Sequence, residues 1–232
     1  MLSIVVPCYN EEQRLPRTIE QVERYLDDKN LDYELILVDD GSTDGTRLIM
    51  DAAAKRNQFV RLEALPQNRG KGRALAEGVA SARGSEILVT DADLSTPIEE
   101  LEKLQAQLDR GAGVAIASRA LRASRVEVSQ PIYRVLMGKV FNLLVQAVLL
   151  PGIWDTQCGF KLFRADVAHD AFGRLTTDGF GYDPEVLYRA KQLGVKIAEV
   201  PVVWRNSAPT KVSPIKSSID MFKHVVRVRF RS

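Results

Sequence analysis

The chain has 232 residues, 45% hydrophobic and 27% charged, with a formal net charge of +2. That is enough apolar material for one well-packed domain, lies far from the disordered range, and is too nearly neutral to hold nucleic acid by global charge. Cys8 and Cys158 stand far apart without CxxC spacing, so neither a disulfide framework nor a zinc site is expected, and no run of about 18 apolar residues marks a membrane span.

Met1 leads directly into the apolar run LSIVVP (2–7), which predicts a strand rather than a secretory leader. The strand ends in PCYNEE, a Pro-started turn that supplies the aromatic ring of Tyr9 and the acid Glu11. Leu15, Ile19, Val22 and Leu26 then recur at helical spacing. A second strand, YELILVDD (33–40), runs into VDDGSTDG, where Asp39 and Asp40 fall on opposite faces and one carboxylate can meet a base or ribose. After a third strand, FVRLEAL (59–65), the stretch NRGKGRAL sets Lys71 between Gly70 and Gly72 ahead of a helix. That is either a phosphate site at a helix N-terminus or a plain flexible loop. A fourth strand, SEILVTD (85–91), enters DADLSTP. Leu101, Leu104 and Leu108 mark another helix before a fifth strand, GVAIASR (113–119).

Apolar strands alternating with helical crossovers predict an α/β fold, a doubly wound, mostly parallel sheet with helices on both faces and ligands at the carboxyl ends of its strands. Each acidic loop taken alone reads as an ordinary turn or helix cap. Three of them at one sheet edge point to a site. If the DAD segment is extended, Asp91 and Asp93 face one point and Ala92 faces away. Two like charges there repel unless a cation separates them, and Mg²⁺ or Mn²⁺ completed by substrate phosphates satisfies both. With neither GxGxxG nor GxxxxGK[ST] present, the pattern suits a nucleoside diphosphate better than a dinucleotide or a P-loop.

The later half carries a mostly apolar segment, 132–150, interrupted by Arg134, Lys139, Asn142 and Gln146, which reads as a buried or an interfacial helix. The end, SSIDMFKHVVRVRFRS, is basic and amphipathic, with Lys223, Arg227, Arg229 and Arg231 near Phe222, Val225 and Val226, and suits an anionic membrane leaflet.

In this order, VVPCYNEE, VDDGSTDG, NRGKG and DADLSTP resemble the inverting GT-A glycosyltransferases of family 2. ASRAL (117–121), DTQCGFKLFR (155–164) and GYDPEVLYRAKQLGVKIAEVPVVW (181–204) look like the branch that loads sugars onto polyprenyl phosphates, closest to the dolichyl-phosphate β-glucosyltransferases. The resemblance implies that Pro7, Tyr9, Glu11, Val38 and Asp40 hold the nucleoside. It sets Asp91, Ala92 and Asp93 against nucleotide and metal, with Ser95 near the metal where some relatives have Gln. Arg119, Arg134, Arg205 and Lys211 match positions that bind the diphosphate or the acceptor phosphate. It further implies a catalytic domain over 1–212, with a nucleotide half to about 120 and an acceptor half beyond, followed by a membrane-facing helix over 213–232. The enzyme is then peripheral at the cytosolic face of a membrane, either complete or cut before C-terminal membrane helices.

The expected reaction moves a hexose, glucose from UDP-glucose, with inversion onto a polyprenyl phosphate in the membrane. A phosphate acceptor ionises with a second pKa of about 6, so it needs no general base, but it needs Arg and Lys to bring it beside an anionic diphosphate. Asp183 in GYDPEV is then a helix cap or a partner for a basic neighbour; with a sugar-hydroxyl acceptor it is the base. Cys158 and Phe160 are expected as packing residues of a strand. The alternatives are GDP-mannose as donor, a nucleotidyltransferase, and a non-catalytic nucleotide-binding scaffold.

Overall fold

A computed structural model describes residues 1–127, 132–205 and 224–230, with the side chains of residues 132–136 and 139 outside that description. In chain order the elements are β1 (Leu2–Cys8), α1 (Leu15–Asp28), β2 (Tyr33–Asp39), α2 (Thr46–Arg56), β3 (Val60–Ala64), α3 (Lys71–Ser81), β4 (Glu86–Val89) and α4 (Leu101–Asp109). They continue as β5 (Val114–Ser118), β6 (Arg125–Val126), α5 (Ile132–Val148), β7 (Lys161–Arg164), α6 (Ala165–Gly173), α7 (Tyr182–Gln192), β8 (Ile197–Pro201) and β9 (Val203–Trp204).

Seven strands form one sheet in the order β3-β2-β1-β4-β7-β5-β8, and β6 pairs with β9 beside it. β1 runs parallel to β2 and β4, whereas β7 is antiparallel to both β4 and β5. The chain winds outward from β1 through β2 to β3, then returns to place β4 on the other flank of β1. Strand order therefore reverses at the carboxyl ends of β1 and β4, the position where such sheets open a crevice.

Alternation along the strands feeds two cores. Ile4, Val6, Leu35, Leu37, Leu88 and Leu162 pack with Leu15, Ile19, Val22 and Leu26 of α1 and Leu101, Leu104 and Leu108 of α4. Val5, Ile36, Val38, Ile87, Val89 and Phe163 point the other way, toward α3, α6 and α7. The helical periodicities predicted for α1 and α4 are thus the buried faces.

α5 divides its surface: Phe141 and Val145 are buried, while Val140 and Leu143 are exposed. Residues 224–230 are helical, with Val225 and Val228 buried and Arg227, Arg229 and Phe230 exposed. Lys223, Arg231 and Phe222 lie outside the described residues. No helix among the described residues is long and apolar enough to cross a membrane.

Candidate active site

The first two acidic loops are tied to each other. Asn10 accepts from the Thr43 N–H (2.8 Å) and donates its own N–H to Ser42 (3.0 Å); Glu11 donates its N–H to Thr46 (2.7 Å), and Glu12 accepts from Gly45 (2.8 Å). The loops after β1 and β2 are therefore joined into one hydrogen-bonded unit. Glu11 holds Arg14 at 2.7 Å, and Arg14 lies 3.8 Å from Asp93. Pro7 is the penultimate residue of β1, and Tyr9, just beyond the strand, is 38% exposed.

Asp39 and Asp40 are both buried. Asp39 accepts from the Ser42 N–H (2.9 Å), while Asp40 takes the N–H groups of Arg69 (2.7 Å) and Gly70 (2.9 Å). Burial pushes the Asp40 carboxyl above its ordinary value despite those bonds. Its oxygens anchor the NRGKG loop, and a base or ribose at Asp40 would have to share them. Val38 turns its side chain into the core under Gly78, which leaves its main chain as its means of meeting a ligand.

The NRGKG loop packs against residues 177–179. The Arg73 N–H is taken by the carbonyl of Asp178 (3.0 Å), and the loop is so close to that segment that a Cβ on Gly70, at φ +103°, would meet the same carbonyl at 2.6 Å. Lys71 leaves the helix end and bonds through its ammonium to Asp91 Oδ1, with the Tyr182 ring 5.6 Å from the ammonium. The stretch is therefore not a loose loop.

The DAD segment departs from the extended geometry assumed for it. β4 ends at Val89, and the Leu94 N–H bonds back to the Asp91 carbonyl (3.1 Å), so residues 91–94 form a turn with Leu94 at φ +43°. The reason lies in side-chain competition for backbone: Asp93 accepts from the Ser95 N–H (2.9 Å), and the Ala92 carbonyl accepts from the buried Thr18 hydroxyl (2.6 Å). Strand alternation therefore does not aim the two acids. They nonetheless act on each other: Asp93 is pushed above its ordinary value, first by burial and then by the Asp91 charge. Asp91 goes the other way: burial would raise it, but Lys71, with Lys161 and Arg119, together bring it below its ordinary value. Ser95 also accepts the Arg205 N–H at its carbonyl (2.7 Å), joining this turn to the end of β9.

Gly159 of DTQCGFKLFR backs the turn. A Cβ there would stand 2.1 Å from Asp91 Oδ2, so only glycine lets this loop lie against the carboxylate. Cys158 and Phe160 on either side are buried, and the strand itself begins one residue later at Lys161.

Arg119 is gripped by Asp155 through its Nε (2.7 Å), its Nη2 (2.8 Å) and its backbone N–H (2.8 Å), and its guanidinium lies over the Trp204 ring at 5.3 Å. Asp155 and Trp154 are in turn held by backbone bonds to Glu199 on β8, at 3.0 and 2.8 Å. Burial acts against both charges, but the ion pair and its hydrogen bonds, with the other charges nearby, together raise Arg119 and lower Asp155.

Asp183, in the first turn of α7, is buried and bonded to the ammonium of Lys161, whose side chain is fully inaccessible and also donates to the Cys158 carbonyl (2.6 Å). The Lys161 ammonium stands 5.9 Å from the centre of the same Tyr182 ring that faces Lys71. Arg205 is exposed and paired with Glu127 at 2.7 Å. Arg134 falls on α5 but its side chain is outside the description, and Lys211 lies outside the described residues.

The fold thus brings Lys71, Asp91, Asp93, Arg119 and Asp183 together at one edge. The residues not anticipated are Arg14, Asp155, Gly159, Lys161 and Glu199. A lysine inside the apolar run GFKLF was the available signal, since a charge in a buried strand needs a partner.

Two carboxylates that repel each other, one partly exposed on either side of Ala92, are a hard-oxygen donor pair of the kind a divalent cation neutralises. No group of three His, Cys, Asp or Glu among the described residues is placed to hold a metal.

The family model described as Glycosyl transferase family 2 matches residues 3–172. The dolichyl-phosphate beta-glucosyltransferase of Dictyostelium discoideum is 36% identical over 242 residues, covering 99% of this chain and 74% of that protein. The human dolichyl-phosphate beta-glucosyltransferase is 36% identical over 243 residues, covering 99% and 75%. Among solved structures, glucosyl-3-phosphoglycerate synthase from Mycobacterium tuberculosis, crystallised with Mn²⁺, UDP-glucose and phosphoglyceric acid, superimposes with a TM-score of 0.74 at 21% identity, over 98% of this chain and 78% of that one. That likeness is one of fold.

Proposed function

The chain belongs to glycosyl transferase family 2, and from that premise we propose that it transfers glucose from UDP-glucose, with inversion, to a polyprenyl phosphate of the dolichyl class. The observation that carries this is the near full-length match to two dolichyl-phosphate beta-glucosyltransferases, which extends past the nucleotide half into the segments holding Asp155 and Asp183.

In this reading Asp91 and Asp93 hold Mg²⁺ or Mn²⁺ against the donor diphosphate, and the ion supplies charge neutralisation at the leaving group. Ser95 contributes by fixing Asp93 through its N–H. Tyr9 stacks on the base, and Pro7, Glu11, Val38, Asp40 and Ala92 shape the nucleoside side, mostly through the backbone they hold. Arg119 orients an anionic acceptor oxygen; its clamp by Asp155 fixes the guanidinium plane, which matters for a group that binds phosphate in two places at once. Arg134, Arg205 and Lys211 are assigned to the same anionic ligands. The acceptor phosphate arrives ionised, with its second pKa at about 6, and Asp183 is taken up by Lys161, so the attack proceeds without a side-chain base.

The domain division follows the same proposal: a catalytic unit over 1–212 with its acceptor half from about 121, then a membrane-facing helix over 213–232. Exposed Val140, Leu143, Trp154 and Phe230, together with Arg227 and Arg229, support residence at the cytosolic face of a membrane.

The test offers UDP-glucose, other UDP-sugars and GDP-mannose, each radiolabelled, with a polyprenyl phosphate and Mn²⁺ or Mg²⁺. Label from UDP-glucose should enter the lipid phase and disappear with EDTA. Preference for GDP-mannose overturns the donor assignment; label entering no lipid with any donor overturns the acceptor class.

A further inference from the structure

Three acids of the site are already ion-paired. Lys71 is bonded to Asp91, Lys161 to Asp183 and Arg119 to Asp155, while Arg14 faces Asp93 at 3.8 Å. At Asp91, Oδ1 is taken by Lys71, while Gly159 backs Oδ2 and the side chain stays 36% exposed. A metal ion needs its ligand oxygens at about 2.0–2.1 Å with room for a full shell around it. Such an ion competes directly with the Lys71 ammonium, and alone it offers that ammonium nothing in exchange for Asp91.

A nucleoside diphosphate changes the balance. Its oxygens are strong acceptors for an ammonium. Lys71 sits on the first turn of α3, its backbone fixed by the Asp40 bond to Gly70 and the Asp178 bond to Arg73, so only the side chain has to turn. The Tyr182 ring beside the ammonium adds a surface along which a cation can shift without full desolvation.

We propose that Lys71 is the resident cation of the metal position, and that the site takes a divalent cation and a nucleoside diphosphate as one ligand, the diphosphate drawing Lys71 off Asp91 as the ion takes its place. The inference rests on the metal-dependent reading above and adds to it an obligatory coupling between the two ligands, enforced by one named side chain.

The experiment measures Mn²⁺ binding by electron paramagnetic resonance of the free ion, with and without saturating UDP, on the full chain and on Lys71→Met and Lys71→Arg. The wild-type protein should bind Mn²⁺ weakly alone and about tenfold or more tightly with UDP, a coupling in the usual range. Lys71→Met should bind Mn²⁺ alone about fivefold or more tightly than wild type and lose most of the UDP enhancement. Lys71→Arg retains a cation and should keep Mn²⁺ binding weak in the absence of UDP, which separates loss of the charge from damage to the loop. Mn²⁺ affinity in Lys71→Met that is unchanged or weaker without UDP, with the enhancement intact, overturns the inference while leaving the metal site standing. Absence of Mn²⁺ binding to the wild-type protein even with UDP overturns both.

Discussion

Replacing Gly159 by alanine isolates the contact between the DTQCGFKLFR loop and the Asp91 carboxylate. The added Cβ would meet Oδ2 at 2.1 Å, the carboxyl carbon at 2.5 Å and Oδ1 at 2.7 Å, all inside the 3.0 Å below which real Cβ contacts essentially do not occur. Lys71 holds Oδ1, so the carboxylate cannot swing away alone; either it retreats with the ammonium or the 158–160 loop lifts. The displacement needed is about 1 Å, and misplacement on that scale costs on the order of 100-fold in rate. That factor corresponds to about 2.7 kcal/mol of lost transition-state stabilisation. The overpacking cost to stability is separate, about 1–3 kcal/mol. Initial rates of label transfer from UDP-glucose to a polyprenyl phosphate, alongside thermal unfolding, measure the two. We expect kcat/KM to fall by about two orders of magnitude while the protein still unfolds cooperatively. A Gly159→Ala enzyme within about threefold of wild type refutes the claim that this glycine sets the position of Asp91, because about 1 Å of carboxylate movement would then cost almost nothing.

Three further outcomes are expected. Lys161→Met should destabilise by about 3–5 kcal/mol in urea unfolding because it strands Asp183 as an unpaired buried charge, and Lys161→Met combined with Asp183→Leu should cost less than either change alone; additive losses refute the pairing. Arg119→Lys, which gives up the two-point grip by Asp155 and the contact with Trp204, should lower kcat/KM for the lipid acceptor by about 10–100-fold, from the loss of about 1.5–3 kcal/mol, with the UDP-glucose KM little changed. The last concerns acid stability. Burial raises the Glu34 carboxyl, but bonds from Ser3, the Arg83 N–H and Arg61 outweigh it, and its value in the fold lies below the ordinary 4.5. A lowered carboxyl contributes stability that is present above pH 4.5 and is lost as pH falls through the folded-state value. Glu34→Gln should therefore be less stable than wild type at pH 7 and show a flatter loss below pH 4.5 in denaturant titrations at several pH values; parallel pH profiles for the two proteins exclude this linkage.

Much of the molecule can be read along the chain. Strands 2–7, 33–40, 59–65, 85–91 and 113–119 were legible from apolar runs, and each matches a strand of the sheet to within two residues. The faces of α1 and α4 follow from Leu15, Ile19, Val22 and Leu26 and from Leu101, Leu104 and Leu108, because a helix registers its buried stripe in its own spacing. The alternation of strand and helix also determines that acids after β1, β2 and β4 share one edge.

Pairing across the fold is a different matter. That the strand after Gly159 runs antiparallel between β4 and β5 is decided by the return of the chain through α5, which no local pattern encodes. The DAD segment shows the limit most plainly: strand alternation would align Asp91 with Asp93, but Thr18 from α1 and the Ser95 N–H bend it into a turn, and Lys71 and Gly159 then decide where Asp91 points. Likewise Lys161, Asp155 and Glu199 acquire meaning only through Asp183, Arg119 and the 154–155 backbone. The sequence by itself determined which residue types reach the edge, since periodicity and turn chemistry act over a few residues. Tertiary structure decided which charge neutralises which, because Coulomb energy and hydrogen bonding depend on distances in space that separation along the chain does not set.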